Sequence, residues 1–197
     1  MPIFVAMAGK DLKEKAKEYL DFGMPKQQVF DMLVAEFPAR KPKKIADELR
    51  FIPTLAARER YGSLHRLLLA VVLAYGALRM ARPMLAPDFD WSSTARLISL
   101  APIATLLLGY SLYRWQGQMF QWVGWMNLAS AFGLMGTLTG YLRGSGEHWA
   151  MALGLLSITI GALALFLAYR VFPEYKTEKD PLGQVPPRYV FVDERPF

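Results

Sequence analysis

Apolar residues follow two different patterns along this chain. Over the first sixty residues they recur at helical spacing among charged positions: Leu12, Ala16, Tyr19 and Leu20 share one face, and Val29, Phe30, Leu33 and Phe37 share another. Gly23 predicts the end of the first helix. Pro25 predicts the first turn of the second, where a missing amide hydrogen costs little. Pro38 and Pro42 separate that helix from a third over Lys43 to Phe51, and beyond Pro53 a fourth segment runs into the first long apolar stretch, with Gly62 as its weak point.

From Leu64 onward the apolar residues fill whole runs. A hydrocarbon core about 30 Å thick is crossed by roughly 20 mostly apolar helical residues, and lipid-exposed backbone must satisfy its own hydrogen bonds. Four stretches meet this requirement: Leu64 to Arg82, Arg96 to Tyr113, Met119 to Leu142 and Trp149 to Phe172. The first works as a span with Arg66 and Arg79 reaching opposite interfaces, and Pro102 predicts a kink in the second. Residues 173–197 hold five prolines and read as an irregular tail, apart from Arg188 to Val192, a strand-like run suited to docking on the N-terminal domain. The expected fold is therefore all-α: a small basic N-terminal three-helix domain over residues 1–63, a four-helix transmembrane bundle over 64–172, and the tail.

Composition supports this segregation. Of 197 residues, 53% are hydrophobic and 20% charged; residues 1–63 carry 12 Lys/Arg and 9 Asp/Glu, whereas Met119 to Leu142 carry no charge. Basic residues favour cytoplasmic flanks, and Arg40, Lys41, Lys43, Lys44, Arg50, Arg58, Arg60 and Arg66 precede the first span while Asp88 and Asp90 follow it. Both ends are thus expected in the cytoplasm, with the chain multi-pass in the membrane. Arg170, Lys176 and Lys179 past the last span agree, and Trp91, Trp115, Trp122 and Trp149 fall near span ends as aromatic belts do. No secretory signal is read at the start, so the first span is expected to act as the insertion signal. The absence of cysteine excludes disulfides, thiol catalysis and Cys-ligated zinc. His65 and His148 sit at predicted membrane boundaries, where an interfacial role is expected in preference to a metal site.

Small residues form the sharpest pattern. In the last span Ala150, Gly154, Ser157, Gly161, Ala164 and Ala168 step by 4, 3, 4, 3 and 4, and the third span has Ala129, Gly133, Gly136, Gly140 and Gly144. Such seams let helices approach closely and gain dispersion contacts that lipid cannot supply; direct ligand or pore contact is the other reading. At about 100° per residue, Asn127, Ser130, Thr137 and Tyr141 form a polar stripe beside the small one. It predicts either interhelical hydrogen bonds or the weakly polar wall of a pore.

No Asp or Glu falls inside a predicted span, which argues against a coupled exporter or an intramembrane hydrolase. The cytoplasmic part lacks a phosphate-binding glycine loop, a histidine-bearing triad and a metal cluster. No enzymatic activity, cofactor or metal is expected. The run Arg40, Lys41, Lys43, Lys44 is the candidate ligand site: it suits a nucleotide or oligonucleotide, anionic headgroups and topology, or a protein partner. The preceding segment Gly23 to Val29 resembles the glycine turn and second-helix start of helix-turn-helix domains, but Pro38 and Pro42 depart from that pattern.

A small basic three-helix domain followed by four spans resembles the membrane effectors of bacterial anti-phage defence, in particular the channel subunits of Hailong type. The resemblance is one of architecture across most of the chain. It implies a homo-oligomeric ion channel in contact with the lipids of a bacterial inner membrane, opened when its cytoplasmic domain receives a nucleic-acid-like signal from a partner nucleotidyltransferase. The expected function is a signal-gated or membrane-perturbing effector; the alternative is a structural membrane adaptor that recruits a cytoplasmic partner.

Overall fold

The computed structural model describes residues 2–85, 103–144, 148–178 and 186–191. Within them the chain is mostly helical: α1 Pro2–Asp21, α2 Lys26–Glu36, α3 Pro42–Arg50, α4 Leu55–Met84, α5 Ile103–Tyr113, α6 Gly117–Ala129, α7 Ala131–Leu142 and α8 His148–Val171, followed by strands β1 Lys176–Glu178 and β2 Arg188–Val190. Residues 96–102 of the second expected span, with Pro102, and the expected outer loop with Asp88, Asp90 and Trp91 lie outside the described residues. The chain divides into two compact units, Met1–Gly62 with Leu167–Phe197, and Ser63–Phe166.

The first unit is built on the helical faces visible in the sequence. Leu12, Ala16 and Leu20 of α1, Val29, Phe30 and Leu33 of α2, and Ile45, Ala46 and Leu49 of α3 are buried in one cluster. Each large side chain so removed from water contributes roughly 1.5–3 kcal/mol before the entropy of ordering is subtracted. Gly23 ends α1 in the left-handed region at φ 81°, with its amide donating to the Leu20 carbonyl and the Met24 amide to the Tyr19 carbonyl, which satisfies two otherwise orphaned acceptors. Pro25 precedes α2, Pro42 opens α3, and the Thr54 hydroxyl accepts the Ala57 amide at 3.2 Å to cap α4. Gly62 does not interrupt α4, which runs through it as one 30-residue helix.

The tail corrects the all-α expectation. β1 and β2 pair antiparallel, with Lys176 opposite Val190, Thr177 opposite Tyr189 and Glu178 opposite Arg188. The pairing brings Phe191 into the helical cluster, where it lies 5.6 Å from the Phe30 ring and 5.6 Å from the Tyr175 ring, and its amide donates to Gln27 Oε1 at 2.9 Å. Tyr175 and Tyr189 complete a four-ring group. The strand-like run seen in the sequence thus docks on the N-terminal helices, with a second strand that its short, charged sequence Lys-Thr-Glu did not announce.

In the second unit Leu68, Val72, Leu112, Phe120 and Ile160 are buried, while many other large apolar residues face outward. Phe132 is 84% exposed, Met135 69%, Trp122 65% and Leu107 62%. Two helical stretches, Pro42–Ala81 and His148–Val171, have the length and apolarity to cross a membrane; the first takes in α3 and most of α4, the second is α8. The third expected span is not one helix. It is divided at Ser130 into α6 and α7.

Candidate functional site

The division at Ser130 has a local chemical cause. The Ser130 amide donates to the Asn127 carbonyl at 3.2 Å, three residues back, and the Ser130 hydroxyl reaches that same carbonyl. A short polar side chain that competes for the backbone in this way tightens the turn and interrupts the regular ladder. Asn127 itself anchors one turn earlier, its Nδ2 donating to the Val123 carbonyl at 2.8 Å.

These groups meet α8 at one residue. The Ser157 hydroxyl, 5% exposed, donates to Asn127 Oδ1 at 2.8 Å and lies 2.7 Å from Ser130 Oγ. Each hydroxyl has a single hydrogen. With that of Ser157 committed to Asn127, the hydrogen of Ser130 divides between the Ser157 oxygen and the Asn127 carbonyl. The result is a three-residue polar cluster made by α6, the turn between α6 and α7, and α8.

Close helix approach surrounds the cluster. A Cβ placed on Gly154 would stand 2.2 Å from Leu134 Cδ1, and one on Gly161 would stand 3.0 Å from the Leu128 amide nitrogen and 3.2 Å from the Gly124 carbonyl. Gly124 reciprocates, since its Cβ would meet Leu165 at 2.5 Å. Gly154, Ser157 and Gly161 therefore form a packed seam. Gly133 and Gly136 of α7 do not join it: a Cβ on either meets nothing within 4 Å. Gly140 is half-buried on the same helix.

The rest of the polar stripe is dispersed. Thr137 donates to the Gly133 carbonyl of its own helix at 3.2 Å, and the Tyr141 ring stands edge-on to His148 at 5.4 Å. Neither reaches the Asn127 cluster.

A second polar focus joins two residues that the sequence placed at span ends without pairing them. His65 on α4 is 5% exposed, stacks on Trp115 at 3.9 Å between centroids, and holds the Leu112 carbonyl at 2.9 Å through Nε2. A carbonyl can only accept, so Nε2 carries the proton. Trp115 lies in the turn from α5 to α6 at φ 54°, where glycine usually sits; its amide donates to the Leu112 carbonyl and the Gln116 amide to the Ser111 carbonyl. The ring contacts with His65 and Phe120 hold a residue in a conformation that costs about 1 kcal/mol or more. The span-end position of Trp115 was its only sequence signal.

The basic run is partly committed. Arg40 pairs with Glu48 at 3.5 Å, whereas Lys41, Lys43 and Lys44 are exposed and make no ion pair among the described residues. Lys43 and Lys44 occupy the first turn of α3, which holds no acidic residue and whose N-cap, Lys41, supplies no side-chain bond. Cations at a helix N-terminus oppose the helix dipole by roughly 0.3–1 kcal/mol each, so helix stability does not account for them. Among the described residues no group of His, Asp and Glu could hold a metal ion. Comparison of the chain with protein-family models, with curated proteins and with solved structures found no match.

Proposed function

We propose that the chain is a multi-pass membrane effector whose second unit assembles with further copies into a narrow, signal-gated pore, in the anti-phage setting that its architecture implies. The observation that carries the reading is the Asn127, Ser130, Ser157 cluster at a helix break. Interrupted helices and hydroxyl or amide groups are costly at membrane depth unless buried in protein or set beside water. Exposure supports the membrane setting: only 22% and 33% of the apolar windows in the two long helices are buried, whereas a core helix of a water-soluble protein would be mostly covered. The open face of α7 at Gly133 and Gly136 is available to a neighbouring copy. Shared burial of Phe191 with Leu12 and Leu33 supports an even number of crossings, because it requires tail and N-terminal helices to be on one side. Lys41, Lys43 and Lys44 supply an exposed cationic edge for a nucleotide or oligonucleotide signal.

Purified protein in liposomes tests the proposal. Ion flux that rises on adding a short oligonucleotide, and that disappears when Arg40, Lys41, Lys43 and Lys44 are all changed to Gln without loss of insertion, is the expected result. Silence under all conditions, together with monomeric mass in detergent, would favour the adaptor reading. That second reading has its own support in the compact first unit, which exposes Phe22 beside the charged edge of Glu18 and Asp21.

A further inference from the structure

Two side-chain bonds join α3 to the segment that leaves α8. The helix ends at Val171, Phe172 is buried, and Pro173 fixes the backbone direction into Glu174 and Tyr175. These two neighbours grip α3 one turn apart: Glu174 Oε1 accepts from Arg50 Nη2 at 2.7 Å, and the Tyr175 phenol donates to the Asp47 carboxylate. Asp47 and Arg50, at positions i and i+3, share one face of the helix. The Arg50–Glu174 pair alone would add little, because the side chain of Glu174 is 70% exposed. Tyr175 adds its ring, which packs against the buried cluster and lies edge-on to Tyr189 at 5.5 Å. Leu167, Ala168, Val171 and Phe172, at the end of α8 and just beyond it, are buried in the same compact unit.

The other end of α3 is loose. Its first turn carries Lys43 and Lys44 and no acid, and the N-cap Lys41 supplies no side-chain bond, so the cations oppose the helix dipole. A helix of 9 residues has too few internal bonds to be stable alone and depends on what holds its ends. We infer that α3 is a conditional helix that couples the cationic edge to the end of α8: an anion at its first turn tightens the helix, and Asp47 and Arg50 hand that order to Tyr175 and Glu174. The anion's share in this rests on the signal reading above, whereas the latch stands on the contacts of α3 with the tail. A ligand shifts such an equilibrium only by the difference in its affinity for the two states. Here the difference has a source: the exposed Lys41, Lys43 and Lys44 and the free amides of the first turn converge on one anion only while α3 is formed. Tyr175 and Glu174 are then positioning residues, and the helix they fix is the one that carries Ser157 and Gly161.

Hydrogen exchange on the full chain in detergent, read by mass spectrometry, tests the latch and the coupling separately. With no ligand present, Asp47→Ala combined with Glu174→Gln, both at exposed positions, is expected to speed exchange at residues 167–172 about tenfold, the worth of one charged hydrogen bond. Exchange over Leu12 to Leu33 of α1 and α2 should stay as in wild type and serves as the measure of intact folding. If that control moves, Tyr175→Phe removes a single hydroxyl instead and should speed residues 167–172 about threefold. An unchanged rate there would overturn the latch. A short oligonucleotide added to wild type is expected to slow exchange over residues 43–50 and over 167–172, whereas the latch variant binds it with equal affinity and slows over 43–50 alone. Slowing at 167–172 in both proteins, or in neither, would overturn the coupling. Absence of binding by wild type would overturn the anion's part together with the signal reading, and the ligand-free comparison would still decide the latch.

Discussion

Ser157 of α8 donates a 2.8 Å hydrogen bond to Asn127 of α6 across 30 positions of sequence. The bond ties the polar side chain of a broken helix to the middle of an unbroken one, at the place where the two backbones come close enough to exclude a side chain at Gly161. Interhelical bonds of this kind in membrane proteins average about 0.6 kcal/mol and reach about 1.7. A double-mutant cycle with Asn127→Ala and Ser157→Ala, followed by unfolding in detergent, should therefore give a coupling of about that size. Strict additivity would mean that the two side chains do not interact in the folded protein.

The glycines should separate into two classes. Gly161→Ala places a methyl 3.0 Å from backbone at Leu128, which cannot rotate away, and should cost about 1–3 kcal/mol, seen as a lower melting midpoint in detergent. Gly136→Ala enters open space and should leave protomer stability unchanged or slightly raised, because alanine is the better helix former. An interface between copies at α7 would show itself as a loss of oligomer mass in Gly136→Leu with no change in the protomer.

Trp115 offers a measurement of stored strain. Trp115→Gly and Trp115→Ala both remove the stack on His65, but only alanine retains the unfavourable φ of 54°. The glycine variant should therefore be the more stable of the two by about 1 kcal/mol. Equal midpoints in thermal melts would show that the turn relaxes once the indole has gone.

The Tyr175 phenol donates to the Asp47 carboxylate, and burial, together with that bond and charge, pushes its pKa from 10.0 up to about 12. The sign follows from linkage: the folded state holds this proton more tightly than the unfolded chain does. The stabilisation is therefore complete below pH 10 and is lost as pH rises towards 12. An absorbance titration of wild type minus Tyr175→Phe should show one phenol ionising near pH 12 and not near 10. In Asp47→Asn its midpoint should move down, since the carboxylate that opposes a phenolate is gone.

Much of this molecule follows from the order of its residues alone. Periodicity at Leu12, Ala16 and Leu20 and at Val29 and Leu33 defines which helical faces are buried, and Gly23 and Pro42 mark helix ends, because backbone freedom and a missing amide act within a single turn. The spacing of Gly154, Ser157 and Gly161 likewise announces a packing seam. Tertiary structure decides whether a small residue has anything to pack against. Gly161 meets Leu128 and Gly124, whereas Gly136 has the same spacing signal and meets nothing, since closeness depends on where another helix passes. The helix break at Ser130 joins a local competition for the Asn127 carbonyl to a partner on α8. The left-handed Trp115 defies its own residue type and persists because His65, fifty positions earlier, supplies a stacking surface and a donor to Leu112. Burial of Phe191 needs a strand pair and a gap between helices, and neither exists until the chain has folded. Local sequence dictates local geometry; long-range partners decide which of its possibilities are used.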